Sequence, residues 1–307
     1  MDLNKINTIV LSGGGIKCVG YLGFFKSLFA KINQSQIKHY IGTSAGCIFS
    51  LMLVLGYKLS EIQKIIFNYN YNILIPEINI DSIFFNCGLS DGEKIKDFIV
   101  QIIEYGGHDQ NITFAELFEK TNIKLTMTLT NFTKQKVEYV NHDLNPDFKI
   151  LDAILATTRI PLFFSPYKIN NDIYLDGAVI NNFPINFINE NELDTVIGAC
   201  YMLKRDTDEI TQLFENPNHY EKIIKYIYSV MLLNFNNVMY IINDEQKKRT
   251  INLENNICNV IDFDMSAETK KNIIEHSYQT TENFLNEHFI LTNPEKISES
   301  YTCQLEI

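Results

Sequence analysis

Twice within the first sixty residues a short apolar run stops at a glycine turn and passes at once into a helical pattern. Thr8 to Leu11 reads TIVL and ends at Ser12-Gly13-Gly14-Gly15, after which VGYLGFFKSLFAKI, Val19 to Ile32, sets apolar residues at helical spacing. KHYIGTSAG repeats the design: a short strand closed at Gly42, a turn, and the apolar helix CIFSLMLVLG, Cys47 to Gly56. Parallel strands need crossover connections, and the crossover helices cover the sheet faces. The repeat therefore predicts an α/β layer architecture with a largely parallel sheet.

Further along, Ser90-Asp91-Gly92-Glu93 precedes the amphipathic run KIKDFIVQIIEY, and Thr113-Phe114-Ala115-Glu116 has the spacing of a capping box. IKLTMTLTNF, Ile123 to Phe132, alternates as a half-buried strand does, and VEYV, Val137 to Val140, can pair with it as a hairpin. FKILDAILATT reads as a helix stopped at Ile160-Pro161; IYLDGAVINNFP is a strand running into a turn, and TVIGACYM a further buried strand. From Glu209 to Lys248 there is no glycine, and IIKYIYSVMLLNFNNVMYII is spaced as a helix. The reading divides the chain into a unit at 6–205 and a mainly helical C-terminal section at 206–307.

Composition narrows the partners. Acidic side chains number 37 against 26 basic ones, for a formal net charge of −11, which argues against nucleic acid, since phosphate affinity comes from clustered Lys and Arg. An anionic membrane is also repelled unless a local basic or apolar patch offsets the overall charge. The six cysteines are scattered without metal-like spacing, and a reduced compartment is the simpler setting. The apolar run before Ser12 is too short for a signal peptide, and CIFSLMLVLG is about half of a membrane span. The expectation is a cytoplasmic protein that meets any membrane from outside.

Three pieces can carry chemistry. Gly42-Thr43-Ser44-Ala45-Gly46 matches G-x-S-x-G where a predicted strand meets a predicted helix, the setting of a nucleophile elbow. There the serine takes a strained backbone position, and the flanking glycines remove side chains that would clash. The same pentapeptide can also arise by chance at a glycine-rich turn. Gly13-Gly14-Gly15-Ile16-Lys17 offers unpaired N–H groups at a helix start. A Walker A loop is excluded by Cys18 and Val19, and a dinucleotide fingerprint by Cys18 and the lack of an acid at Ile37 to Tyr40. An oxyanion hole remains, each donor contributing about 3 kcal/mol in the transition state. Asp176-Gly177-Ala178 closes a predicted strand. Alone it is an ordinary turn. Beside a serine, its carboxylate can take the hydroxyl proton, provided that it is ionised, a state favoured by hydrogen bonds from nearby N–H groups.

With these pieces in this order, the chain resembles the patatin-like phospholipase family. The likeness extends to Gly88-Leu89-Ser90-Asp91-Gly92, Ile112 to Leu117, the PLFFSP segment from Pro161 to Pro166, and Asn182-Phe183-Pro184, and covers roughly residues 6 to 205. It implies a three-layer α/β/α fold with a mostly parallel sheet and a helical C-terminal extension. It also implies a Ser–Asp dyad lipid acyl hydrolase without metal or diffusible cofactor: Ser44 attacks an ester carbonyl, Asp176 is the base, and Gly13, Gly14 and Gly15 form the oxyanion hole. Lys17, Gly42, Gly46, Gly177 and Ala178 support the motifs, Lys17 in a structural or charge-balancing role. The substrate implied is a phospholipid or lysophospholipid, with peripheral membrane contact. The chain departs from the family at Cys18, where glycine is usual, and near Thr158-Arg159, where the family commonly has a small residue followed by alanine and this chain places an arginine. A different-class alternative is a catalytically silent lipid- or protein-binding module with a hole narrowed by Cys18. An ordinary hydrolase triad would need His219, His276 or His288, none beside a catalytic-looking turn; His39 falls within a strand.

Overall fold

In the computed structural model, which describes residues 2–74, 80–201, 242–255 and 264–289 with isolated positions 222, 226, 229 and 257, the two strand–turn–helix units lie side by side. The strands are β1 (Thr8–Leu11), β2 (His39–Thr43), β3 (Gly88–Ser90), β4 (Lys124–Asn131), β5 (Lys136–Val140), β6 (Leu162–Phe164), β7 (Tyr167–Ile169), β8 (Asp172–Asp176), β9 (Val196–Cys200) and β10 (Thr250–Asn252). The main helices are α1 (Tyr21–Lys31), α2 (Ala45–Val54), α3 (Leu59–Asn68), α4 (Ile80–Asn86), α5 (Glu93–Tyr105), α6 (Phe114–Thr121), α7 (Ile150–Thr157) and α8 (Ala267–His288). The principal sheet has the order β10-β9-β1-β2-β4-β8-β7, with β5 also paired to β4. Strands β10, β9, β1, β2 and β4 are parallel; β5, β8 and β7 join antiparallel.

Every residue of β1 and β9 is buried, as parallel strands covered on both faces must be. Alternation sorts their side chains. Ile9 and Leu11 enter the larger core with α1 and α2, while Val10 and Ile41 point into a smaller one with Phe183, Ile185 and Val196. Helices flank this mostly parallel sheet, the α/β/α arrangement the resemblance implies. Thr113 and Glu116 form the expected capping box: Glu116 N–H donates to Thr113 Oγ1 at 3.3 Å and Thr113 N–H to Glu116 Oε2 at 2.9 Å.

Some elements differ from the sequence reading. The first helix begins only at Tyr21, because Gly15–Gly20 winds as a 3-10 turn. A second small sheet pairs Gly88 with Leu162 and Ser90 with Phe164; three-residue strands are too short to leave a periodic signal. Within the C-terminal section, Thr250–Asn252 is an edge strand on β9, and α8 packs along α1. The helix expected at IIKYIYSVMLLNFNNVMYII falls almost wholly outside the described residues, as do His219, Cys258 and Cys303. No helix among the described residues is long and apolar enough to cross a membrane.

Candidate active site

The register of β4 brings the serine and the aspartate together. Thr43 of β2 lies opposite Thr128, and Asp176 of β8 lies opposite Leu129, the next residue of β4. Strand β5 occupies the other edge of β4 over both positions, so β2 and β8 share one edge and meet there end to end. Ser44, the residue after β2, is buried and donates from Oγ to Asp176 Oδ2 at 2.6 Å. Asp176 Oδ1 accepts from the Ala178 amide at 2.8 Å.

Ser44 has φ 52°, a left-handed position that costs a non-glycine residue roughly 1–3 kcal/mol and persists only where the surroundings enforce it. Crowding supplies the enforcement. A Cβ at Gly42 would come within 2.8 Å of the Cys47 amide nitrogen, and one at Gly46 within 2.9 Å of the Leu11 carbonyl oxygen. One at Gly177 would run into the Thr128 carbonyl. The Ser44 amide is held by Thr157, whose Oγ1 accepts from it at 3.0 Å and donates to the Thr128 carbonyl at 2.6 Å. Sequence reasoning missed Thr157, because its partner lies 113 residues away and ATT reads simply as the end of a helix.

The glycine loop lies against this elbow: a Cβ at Gly13 would stand 3.0 Å from Ser44 Cβ and 2.7 Å from Asn182 Oδ1. Its three amides are not equivalent. Gly13 N–H donates to the Asn182 carbonyl at 3.3 Å, whereas the amides of Gly14 and Gly15 donate to no acceptor among the described residues. Gly15 has φ 53°, which glycine adopts at little steric cost. Asn182 Nδ2 returns a long contact of 3.5 Å to the Gly13 carbonyl, so Asn182-Phe183-Pro184 ties the loop in place. Lys17 is buried and donates to the Asn255 carbonyl at 2.9 Å, joining the loop to the C-terminal section. Cys18 is buried too, and burial pushes its thiol pKa far up, so it behaves as a neutral apolar group. Arg159 is buried with its guanidinium 5.0 Å over the Tyr167 ring and hydrogen-bonded to the Asp91 carbonyl; its own carbonyl accepts from the Asp176 amide at 2.9 Å.

The charge state of Asp176 differs from the expectation. Two hydrogen bonds favour the carboxylate, but burial outweighs them and pushes the pKa up to about 7. The carboxyl is therefore half-protonated near neutrality, a value suited to a group that accepts and returns a proton. Among the described residues no histidine is hydrogen-bonded to Ser44 or Asp176. His39 Nε2 lies 2.8 Å from Thr126 Oγ1 at the far end of β2, and burial lowers its pKa to about 3. His276 contacts the Glu254 carbonyl and His288 that of Phe284.

An apolar cavity of about 120 Å³ opens beside Ser44. Its wall is built by Ile48, Phe49 and Met52 of α2 together with Ile66 of α3, Phe98 of α5 and Phe164 of β6. Leu74 and Tyr71 complete the distal wall, which the C-terminal section braces: Lys270 Nζ donates to the Ile66 carbonyl at 3.0 Å and sits 4.8 Å over the Tyr71 ring.

A family model described as "Patatin-like phospholipase" matches residues 9–187. The chain is similar to the "Probable lipid hydrolase 463L" of Invertebrate iridescent virus 6, with 33% identity over 223 residues, 69% of this chain and 75% of that protein. It is also similar to a "cGAMP-activated phospholipase" of Vibrio cholerae serotype O1, with 24% identity over 217 residues, 62% of this chain and 58% of that protein. In fold it matches VipD from Legionella pneumophila, with a TM-score of 0.62 and 16% identity over 92% of this chain and 67% of that one.

Proposed function

The chain belongs to the patatin-like phospholipase family, and from that premise we propose that it hydrolyses the carboxylic ester of a phospholipid or lysophospholipid through an acyl-serine intermediate. The observation that carries this reading is the 2.6 Å hydrogen bond from Ser44 to a buried Asp176 at the edge of an apolar cavity. Ser44 Oγ attacks the ester carbonyl as its proton passes to Asp176 Oδ2. The negative charge on the tetrahedral intermediate is met by the amides of Gly14 and Gly15; Gly13, whose amide is already engaged, serves as a spacer that admits the loop against Ser44. Collapse returns the proton to the leaving alcohol. Water then attacks the acyl-enzyme and gives its proton to Asp176; collapse breaks the bond between Ser44 Oγ and the acyl carbon, frees the fatty acid, and returns the proton from Asp176 to Ser44. The acyl chain lies along Ile48, Met52, Ile66 and Phe98, where apolar contact excludes water from the ester.

We assign the catalytic unit to residues 6–205, with the C-terminal section extending the sheet through β10 and covering α1 with α8. The test is covalent: a long-chain fluorophosphonate is expected to label the wild-type protein at Ser44 and to leave Ser44→Ala unlabelled. A folded wild-type protein that stays unlabelled and cleaves no member of a lipid panel would instead be a binding module.

Thr157 is expected to matter through the elbow. Thr157→Val keeps the shape but leaves the Ser44 amide and the Thr128 carbonyl without their partner, each a loss of about 1–3 kcal/mol. Labelling of Ser44 should slow about tenfold or more, with recovery in Thr157→Ser. An unchanged labelling rate in Thr157→Val would show that the elbow holds without that hydrogen bond.

A further inference from the structure

Helix α4, Ile80–Asn86, carries two adjacent phenylalanines that the fold leaves in solvent: Phe84 is 77% and Phe85 84% exposed. Phe84 and Phe85 are the most exposed large apolar side chains among the described residues, and the helix is tied through β3 to an element of the cavity wall. Leu74, the last described residue before this helix, lines the cavity. Strand β3, which follows the helix and packs on it, pairs with β6, whose Phe164 also lines the cavity. Ser82 Oγ fixes the helix by donating to the Gly88 carbonyl at 2.8 Å. Ile73, next to Leu74 in the chain, is 45% exposed.

The geometry points to α4 as the element that enters a zwitterionic phospholipid bilayer, with Phe84 and Phe85 among the acyl chains. This rests on the lipid hydrolase reading above. Size separates the bilayer from a second protein: two aromatic side chains offer roughly 300–500 Å², well short of the ~800 Å² per partner that a stable interface buries. Charge selects the lipid. The stretch Ile80 to Ser90 contains no Lys or Arg and includes Asp81, on a chain of net charge −11, so an anionic surface gains nothing there and is repelled overall. Partition into a neutral-headgroup surface depends on apolar area alone, and α4 offers that area on a helix tied through β3 to the cavity wall.

Vesicle binding tests this without catalysis. The Ser44→Ala protein is mixed with phosphatidylcholine vesicles and its partition is compared with that of the same protein carrying Phe84→Ser and Phe85→Ser. The expected result is a loss of at least about tenfold in partition, while the double serine variant of the active protein keeps its rate on a soluble short-chain ester. Equal partition of the two proteins overturns the proposal. So does stronger binding to phosphatidylserine than to phosphatidylcholine vesicles, or a parent dimer that the double variant converts to monomer. If the wild-type protein stays unlabelled and cleaves neither a soluble ester nor any member of a lipid panel, the hydrolase reading fails, and the vesicle comparison still decides the role of α4.

Discussion

Asp176→Asn is expected to lower turnover by roughly 10³- to 10⁴-fold and, at neutral pH, to raise the melting temperature. Both effects come from one buried carboxyl. It is the only acceptor on Ser44 Oγ among the described residues, so its loss as a base leaves the hydroxyl unactivated. The amide keeps both contacts, its oxygen accepting from Ala178 and its NH₂ donating to Ser44, so packing is preserved. The stability gain follows from linkage. In the folded chain the Asp176 pKa is raised from 3.8 to about 7, so between those values the native state holds a proton that the unfolded state has released. The protonated group stabilises the fold fully below pH 3.8, and that contribution is lost as pH rises through about 7. A neutral amide has no such loss. The variant's advantage should grow from pH 4 to pH 7 by up to roughly 4 kcal/mol and then level off. Melting curves from pH 4 to pH 8 measure it. A Tm difference independent of pH would show that Asp176 is already ionised in the folded state at low pH. Wild-type activity should rise with pH through about 7 in parallel, as the base loses its proton. On the proposed mechanism Ser44→Ala removes the nucleophile, and adding Asp176→Asn to it should cost almost nothing further, as expected of two residues that act as one unit.

The parts of this site legible in the sequence are those whose cause is local. A strand that ends in Gly42-Thr43-Ser44-Ala45-Gly46 needs its glycines for sterics within the same turn, and the structure shows the clashes that any side chain at Gly42 or Gly46 would meet. The buried strands were likewise visible as apolar runs. What depends on distant packing was not. Asp176 reads as a readily ionised carboxylate because its hydrogen bonds can be anticipated, but its burial where β8 meets β2 on the edge of β4 cannot. Gly13 seemed equivalent to Gly14 and Gly15 until the chain brought the Asn182 carbonyl to its amide. Thr157 and Lys270 act on Ser44 and on the cavity wall across 113 and 204 residues, and neither belongs to a periodic pattern. Strand β10 was hidden because three residues at a sheet edge look like the end of a helical section.

Gly23→Ala is expected to destabilise the protein by about 3 kcal/mol, lowering Tm by roughly 5–10 °C, although the new methyl lies on a helix that should welcome it. On an isolated helix alanine would gain about 1 kcal/mol over glycine. Here a Cβ at Gly23 would overlap the Ile274 carbonyl of α8 and crowd the Tyr278 amide at 2.8 Å, so the backbones of α1 and α8 must part. Parting them reaches the catalytic loop. Gly20, one turn earlier, is packed against Ser277 and Tyr201, and Tyr201 Oη lies 3.3 Å from Ser277 Oγ. The Tyr201 ring in turn backs Gly14: a Cβ there would come within 3.1 Å of it. Tyr201 N–H also donates at 3.0 Å to Ser12 Oγ, which donates at 2.8 Å to the Gly13 carbonyl. A shift of α8 thus loosens the support of the Gly14 amide, where about 1 Å of misplacement can cost 10²-fold in rate. Fluorophosphonate labelling at 15 °C, well below the lowered Tm, should therefore be slower in Gly23→Ala than in the wild type. Ser277→Ala, which keeps the helix contact and loses only one hydroxyl, should leave the stability within about 1 kcal/mol of wild type and slow labelling less. A Gly23→Ala protein with wild-type Tm would mean that α8 is not seated on α1 in solution; a lowered Tm with an unchanged labelling rate would mean that the oxyanion loop holds its shape without the C-terminal helix.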